Sequence, residues 1–131
     1  MSQAPSSTPF QLPLRQELSE LLFVALGAVP GAVMRWQVTG HLHDNNVVVN
    51  VFGAFILGLL AGLPLRPRRQ FFIGIGFCGS LTTFSSWMVS CVVMISRAEW
   101  LSALGLIGVT LGLGLGAAGL GAWLGRTMSR N

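Results

Sequence analysis

The chain has 131 residues, of which 52% are hydrophobic and 9% are charged, and its mean hydropathy is +0.68. Soluble domains carry about 25% charged residues, so this composition excludes an ordinary soluble domain and indicates a membrane protein. The net charge of +4 rests on eight arginines at the ends of apolar segments, which favours topology signals and phospholipid contacts over nucleic-acid binding.

Four apolar segments have the length of a membrane span: residues 18–39, 45–65, 70–96 and 100–125. Each can cross about 30 Å of hydrocarbon as a helix, and their continuous rather than alternating hydrophobicity excludes a barrel. The sequence therefore predicts an all-α membrane protein with a four-helix transmembrane domain over residues 17–126. Residues 1–16 and 127–131 are expected to be short tails. The tight loops leave no room for a soluble catalytic domain, so we expect no enzyme.

Arginines flank the predicted spans unequally. The opposite side from the termini carries Arg35 and Arg97. The side of the termini carries six: Arg15, Arg66, Arg68, Arg69, Arg126 and Arg130. Because cytoplasmic loops are enriched in arginine, both termini are predicted to lie in the cytoplasm, with four passes through the cell inner (plasma) membrane.

Glycines four residues apart recur in the predicted spans and favour close helix packing, because small residues let two backbones approach. These pairs are Gly27 and Gly31, Gly58 and Gly62, Gly108 and Gly112, Gly112 and Gly116, and Gly121 and Gly125.

The middle of the third span is unusually polar for a membrane helix. Its stretch GFCGSLTTFSSW, residues 76–87, places five hydroxyl residues within seven positions after Gly79. The sequence allows two conformations of this stretch. The weak helix propensity of these residues could break the helix and free carbonyl oxygens for partner backbone or a bound cation. Alternatively the helix continues, and the hydroxyls bond back to the preceding turn.

Three other patterns are weaker candidates. GIGFCG, residues 74–79, matches a dinucleotide-binding pattern but lacks the strand that this motif requires. His41, His43 and Asp44 could bind a metal, although histidines in a short exposed loop are more often solvated interface residues. Cys78 and Cys91 are too far apart on one helix for a disulfide and are expected to be packing residues.

The polar side chains inside the spans are hydrogen-bond donors. Asn50, the third-span hydroxyls and Thr110 supply N–H and O–H groups, while Phe84 and Trp87 share a helix face and present positive ring edges. No Asp or Glu lies in the uncharged cores of the four spans. Such a lining suits a small anion. It disfavours a small multidrug-type exporter, which needs a carboxylate in the membrane.

Three stretches resemble the signatures of the Fluc family of small fluoride-specific ion channels. GFCGSLTTFSSW is similar to the family's third-span pattern Gly-x-x-Gly-x-x-Thr-Thr-Phe-Ser. GAVPGAVMRW, residues 27–36, resembles the first-span pattern of spaced glycines that ends in Arg and an aromatic residue. NVVVNVFGAFILG, residues 46–58, resembles the second-span pattern Asn-x-x-Gly-x-x-x-x-Gly. The three occur in the family's order and at its spacing.

This resemblance implies an antiparallel (inverted) dimer with two fluoride pores. It also implies that the third helix is broken near its middle, and that the backbone carbonyls of Gly79 and Thr82 hold a structural sodium ion, not transported, in this break at the dimer centre. Arg35 matches an arginine near a pore entrance. The residues that the resemblance places along the anion pore are Asn50, Phe84, Trp87, Ser85, Thr83 and Thr110.

Two of the chain's departures from the family pattern bear on the pore lining and on the partner subunit. Trp87 stands where a second pore phenylalanine is usual; its indole retains a positive edge and adds an N–H donor. The unequal arginines would fix one orientation, whereas identical copies that pair by inversion need nearly balanced flanking charge. We therefore expect an inverted paralogous subunit as the partner in preference to a second copy of this chain.

The implied function is passive export of cytoplasmic fluoride, driven by the inside-negative membrane potential, which would lower fluoride toxicity. Two alternatives from other classes are the small multidrug-type exporter and a membrane scaffold subunit that transports nothing.

Overall fold

The computed structural model describes residues 14–130, and helices form nearly all of that part of the chain, without a strand. They are α1 (Leu14–Leu42), α2 (Val47–Gly62), α3 (residues 67–81), α4 (Ser85–Ser96) and α5 (Trp100–Arg130). The middle of α3, Gln70–Cys78, is wound as a π-helix. The prediction of an all-α protein with four spans is confirmed, with α3 and α4 as the two arms of the third span.

The ends of the predicted segments differ from the helix bounds. Most of the predicted N-terminal tail, residues 1–16, lies outside the described residues. Helix α5 continues through the predicted C-terminal tail as far as Arg130. Within residues 14–130, three spans of 29, 30 and 31 residues are long and apolar enough to cross a membrane: Leu14–Leu42, Pro67–Ser96 and Trp100–Arg130.

Helix α2 is shorter than the predicted segment 45–65 because both of its ends are fixed by local contacts. At its start, Asp44 Oδ2 accepts the backbone N–H of Val48 at 2.6 Å, and Asn46 adopts a left-handed conformation. At its end, the Leu63 N–H donates to the Leu59 carbonyl oxygen at 3.2 Å, and Leu63 itself is extended. The remaining 16 residues form an apolar helix about 24 Å long.

Glycines set how the helices pair. Helix α1 packs mainly on α3, and α2 packs mainly on α5. A Cβ atom on Gly27 or Gly31 would overlap the α3 backbone, and one on Gly58 or Gly121 would overlap the facing backbone of α5 or α2. The close packing expected of these glycines is therefore present. By contrast, Gly108, Gly112 and Gly116 of α5 meet nothing within 4 Å in the described chain.

The third span breaks between its two arms, as predicted. Thr82 is extended (φ −77°, ψ 153°), and the helix resumes at Ser85. Gly79, at the start of the expected break, is still helical (φ −63°, ψ −33°), so the break begins later than predicted. The first arm packs on α1 and the second arm on α5. The break thus lies where the span changes its packing partner.

Candidate functional site

Asn50 of α2 fixes the backbone at the break. Its Oδ1 accepts the N–H of Thr83 at 2.8 Å, and its Nδ2 donates to the Thr83 carbonyl oxygen at 3.0 Å. In a continuous helix the Thr83 N–H would donate to the carbonyl of Gly79. The amide of Asn50 therefore replaces a helical bond and satisfies two backbone groups of the buried Thr83.

Further side-chain contacts hold the arm before the break. Ser80 Oγ lies 2.9 Å from the Ala28 carbonyl oxygen of α1 and 2.8 Å from the carbonyl oxygen of Gly76. Thr82 Oγ1 donates to the Cys78 carbonyl oxygen at 2.9 Å. Arg35 Nη1 of α1 reaches the Thr82 carbonyl oxygen at 3.5 Å, the outer limit of a hydrogen bond. The hydroxyls thus bond back to helix carbonyls, although the helix itself breaks.

A groove of about 400 Å³ opens beside the break, between α2, the second arm and α5. Its walls are mostly apolar, and its polar groups are one amide, one indole N–H and three hydroxyls; no carboxylate is among the described residues that line it. Such a surface offers donors and ring edges without a negative charge. The lining residues are Asn50, Ala54, Leu57, Thr82, Thr83, Phe84, Trp87, Thr110, Leu111, Gly114, Leu115 and Ala118.

Two aromatic rings of the groove differ in exposure. Phe84 is 72% exposed, whereas Trp87 is 6% exposed. Their ring centroids lie 5.7 Å apart at an interplanar angle of 52°, within the range of favourable aromatic pairs. Trp87 Nε1 donates to Thr110 Oγ1 at 3.1 Å, and Thr110 Oγ1 donates to the Leu106 carbonyl oxygen at 2.7 Å. The indole N–H and the Thr110 hydroxyl are thus paired with each other.

The structure brings most of the predicted pore residues together and separates the rest. Asn50, Thr83, Phe84, Trp87 and Thr110 line the groove. Ser85 is exposed at the start of α4, outside the groove lining.

Arg35 lies in a neighbouring cavity of about 460 Å³ that it shares with Ser86, Asn46 and His43. Gly79 is exposed, and a Cβ atom there would meet nothing within 4 Å in the described chain.

Sequence reasoning missed the apolar wall of the groove. Leu111, Gly114, Leu115 and Ala118 share one face of α5 with Thr110, at helical spacing. That spacing, counted from Thr110 as the one hydroxyl residue between Ala103 and Gly125, is the signal that could have identified them.

The loop before α2 is built for helix capping. Asp44 Oδ1 accepts the backbone N–H of Asn46 at 3.2 Å, in addition to its bond with Val48. His41 Nδ1 lies 2.7 Å from the Gln37 carbonyl oxygen. No group of three or more His, Cys, Asp or Glu side chains that could hold a metal ion occurs in residues 14–130.

Known proteins resemble this chain along most of its length. Residues 22–122 match the family described as "CrcB-like protein, Camphor Resistance (CrcB)". The chain is 65% identical over 115 residues to "Fluoride-specific ion channel FluC 2" of Parasynechococcus marenigrum, covering 88% of this chain and 87% of the relative. It is 63% identical over 118 residues to the protein of the same name in Synechococcus sp. (strain CC9902), covering 90% and 88%.

A more distant relative is named FluC 1 instead of FluC 2. "Fluoride-specific ion channel FluC 1" of Prochlorococcus marinus is 37% identical over 111 residues, covering 85% of this chain and 86% of the relative. All three relatives are named as channels and not as enzymes. With its three long apolar helices, the chain is an integral membrane protein. It belongs to the CrcB-like family, the Fluc family of small fluoride channels to which its three span signatures pointed.

Proposed function

We propose that this protein is a fluoride-specific channel through which cytoplasmic fluoride leaves the cell passively, so that it confers fluoride resistance. The observation that carries the proposal is the groove beside the helix break, where the Asn50 amide, the Thr83 hydroxyl and the Phe84 ring converge on a surface without a carboxylate among its described residues. A small, strongly hydrated anion needs such contacts to replace its water. The names of the relatives support fluoride as that anion and oppose the exporter and scaffold alternatives.

Individual groups of the groove suit different tasks. Asn50 Nδ2 carries a second N–H beyond the one given to Thr83, and this N–H can donate to an anion. Phe84 offers its exposed ring edge, and the N-terminal end of α4 begins beside it, with Ser85 at its first turn. Arg35 contributes positive potential near the break, which raises the local concentration of anions.

A structural sodium ion at the break is the second part of the proposal. Carbonyl oxygens are hard ligands that suit a small cation. In a continuous helix the Gly79 carbonyl would accept the N–H of Thr83, but here that N–H donates to Asn50 Oδ1, so the Gly79 carbonyl lacks its helical hydrogen bond. The carbonyl of Thr82 accepts a long contact from Arg35. The carbonyls of Gly79 and Thr82 would hold the ion, whose charge would neutralise oxygens that no helix bond satisfies at membrane depth.

The third part of the proposal is an antiparallel dimer of this chain with an inverted paralogous subunit in the cell inner membrane. Both termini of this chain would lie in the cytoplasm. The six-to-two distribution of arginines supports one fixed orientation. The existence of relatives named FluC 1 and FluC 2 supports a related subunit as the partner. Co-expression with such a paralogue should give conducting dimers, whereas stable conducting dimers of this chain alone would contradict this part.

Liposomes test the channel itself. Purified protein, alone and with a co-expressed paralogue, is reconstituted into vesicles loaded with potassium fluoride, and a fluoride electrode follows release after a potassium ionophore is added. Rapid fluoride release without a sodium or proton gradient is expected, together with slow chloride release. Release that requires a cation gradient would support an exporter, and release no faster than from empty liposomes would support a scaffold.

A further inference from the structure

Trp87 makes two contacts that no other described side chain of the groove combines. Its ring is buried against α5 and lies 5.7 Å from the exposed ring of Phe84. Its Nε1 donates to Thr110 Oγ1 across 3.1 Å, and this bond joins the second arm of the broken span to α5. Both partners are buried, with 6% of Trp87 and 8% of Thr110 exposed, so water competes weakly for the bond.

The same bond uses the donors that an anion would need. An indole has one N–H, which Trp87 gives to Thr110, and a threonine hydroxyl has one O–H, which Thr110 gives to the Leu106 carbonyl oxygen. To contact an anion directly, either group would first have to give up a buried hydrogen bond. Phe84 needs no such exchange, because 72% of it is already exposed.

We infer that Trp87 is a positioning residue and not an anion ligand: the Trp87–Thr110 bond fixes the indole on α5, and the fixed indole sets the tilt of the Phe84 ring toward the groove. This inference rests on the proposed function, because Phe84 is the ring that would contact fluoride. It also explains how a tryptophan can stand where a second pore phenylalanine is expected. The larger ring is turned into the protein and held there, and the permeating ion passes one aromatic edge instead of two.

Unitary currents in planar lipid bilayers test this role, because they count only channels that fold and conduct. The variants are Trp87→Phe, which keeps an aromatic ring but lacks the N–H; Thr110→Val, which keeps the shape but lacks the hydroxyl; and the two combined. Each single change should lower the unitary fluoride current between about twofold and tenfold, the range of one hydrogen bond. The unitary current of the double variant should be no lower than that of the single variant with the lower current, since both changes break the same bond.

Two further variants separate positioning from general damage. Thr110→Ser restores a hydroxyl and should recover the current lost in Thr110→Val to within about twofold of the original chain. Thr127→Val makes the same substitution on the exposed part of α5, away from the groove, and should leave the current unchanged.

Other results would overturn the inference. Losses that multiply in the double variant would mean that Trp87 and Thr110 contact the anion independently. An unchanged or increased current in Trp87→Phe and Thr110→Val would mean that the bond does not position Phe84. If one variant yields no channels, the other still removes the same bond. A complete absence of fluoride current from the original chain, alone and with its paralogue, would instead refute the proposed function, and this inference with it.

Discussion

Replacing Asn50 by aspartate changes one atom type at the centre of the groove and should nearly abolish fluoride movement. The Oδ1 contact with the Thr83 N–H survives, but the donor to the Thr83 carbonyl, now 3.0 Å away, becomes an anionic oxygen facing another oxygen. The carboxylate also opposes any anion in the groove. Two like unit charges about 5 Å apart repel each other by about 3 kcal/mol at an effective dielectric constant of about 20. That energy corresponds to a loss of rate of roughly two hundredfold.

The assay for Asn50→Asp is fluoride release from liposomes, with Asn45→Asp as the matched control. Asn45 lies in the loop before α2 and is absent from the groove lining, so the same change of charge should cost little there. Asn50→Ala separates the two effects, because it removes both bonds to Thr83 without adding charge; it should mainly lower stability, by about 1–3 kcal/mol for each buried group left unpaired. A release rate for Asn50→Asp within about threefold of the original chain would refute this role of Asn50.

The remaining predictions concern packing and the sodium ion. Gly58→Ala places a methyl group against the α5 backbone and should lower the free energy of unfolding in detergent by about 1–3 kcal/mol, while Gly40→Ala, which meets nothing within 4 Å in the described chain, should not. Equal effects of the two changes would contradict the close α2–α5 contact. Ser80→Ala removes the hydroxyl 2.9 Å from the Ala28 carbonyl oxygen and should cost about 1 kcal/mol, measured by the same unfolding. Exchange of sodium for a large organic cation should lower the melting temperature of the assembled protein; a melting temperature independent of sodium would remove the structural ion from the account.

The fold was predictable from sequence where local chemistry decides it. Segment length and continuous hydrophobicity predicted the helical spans. The weak helix propensity around Gly79 and Thr82 left a broken and a continuous third span open, and the family resemblance favoured the break. The predicted position of the break was less accurate, because a residue distant in sequence determines where the helix opens. Asn50, 33 residues away in the chain, takes the Thr83 N–H, so Gly79 can stay helical and the backbone opens only at Thr82.

The candidate site was predictable as a set of residues but not as a set of contacts. The resemblance named Asn50, Thr83, Phe84, Trp87 and Thr110, and the structure places them along one groove. That Trp87 and Thr110 bond to each other could not be predicted, because the register of α5 against the second arm depends on tertiary packing. Glycine spacing had the same limit. It predicted close helix packing at both Gly58 and Gly112, yet of these two only Gly58 contacts a partner helix in the described chain.

The reversal potential of the current carried by the reconstituted protein, alone and with its paralogue, shows whether the protein is a passive, fluoride-specific channel. Planar bilayers hold a tenfold gradient of potassium fluoride and equal chloride on both sides. A passive fluoride channel should give a reversal potential close to the fluoride equilibrium value, about 59 mV for a tenfold gradient of a monovalent ion. Added chloride, sodium or proton gradients should leave this reversal potential unchanged. A reversal potential near zero, or one that follows chloride or a cation, would contradict a passive fluoride-specific channel.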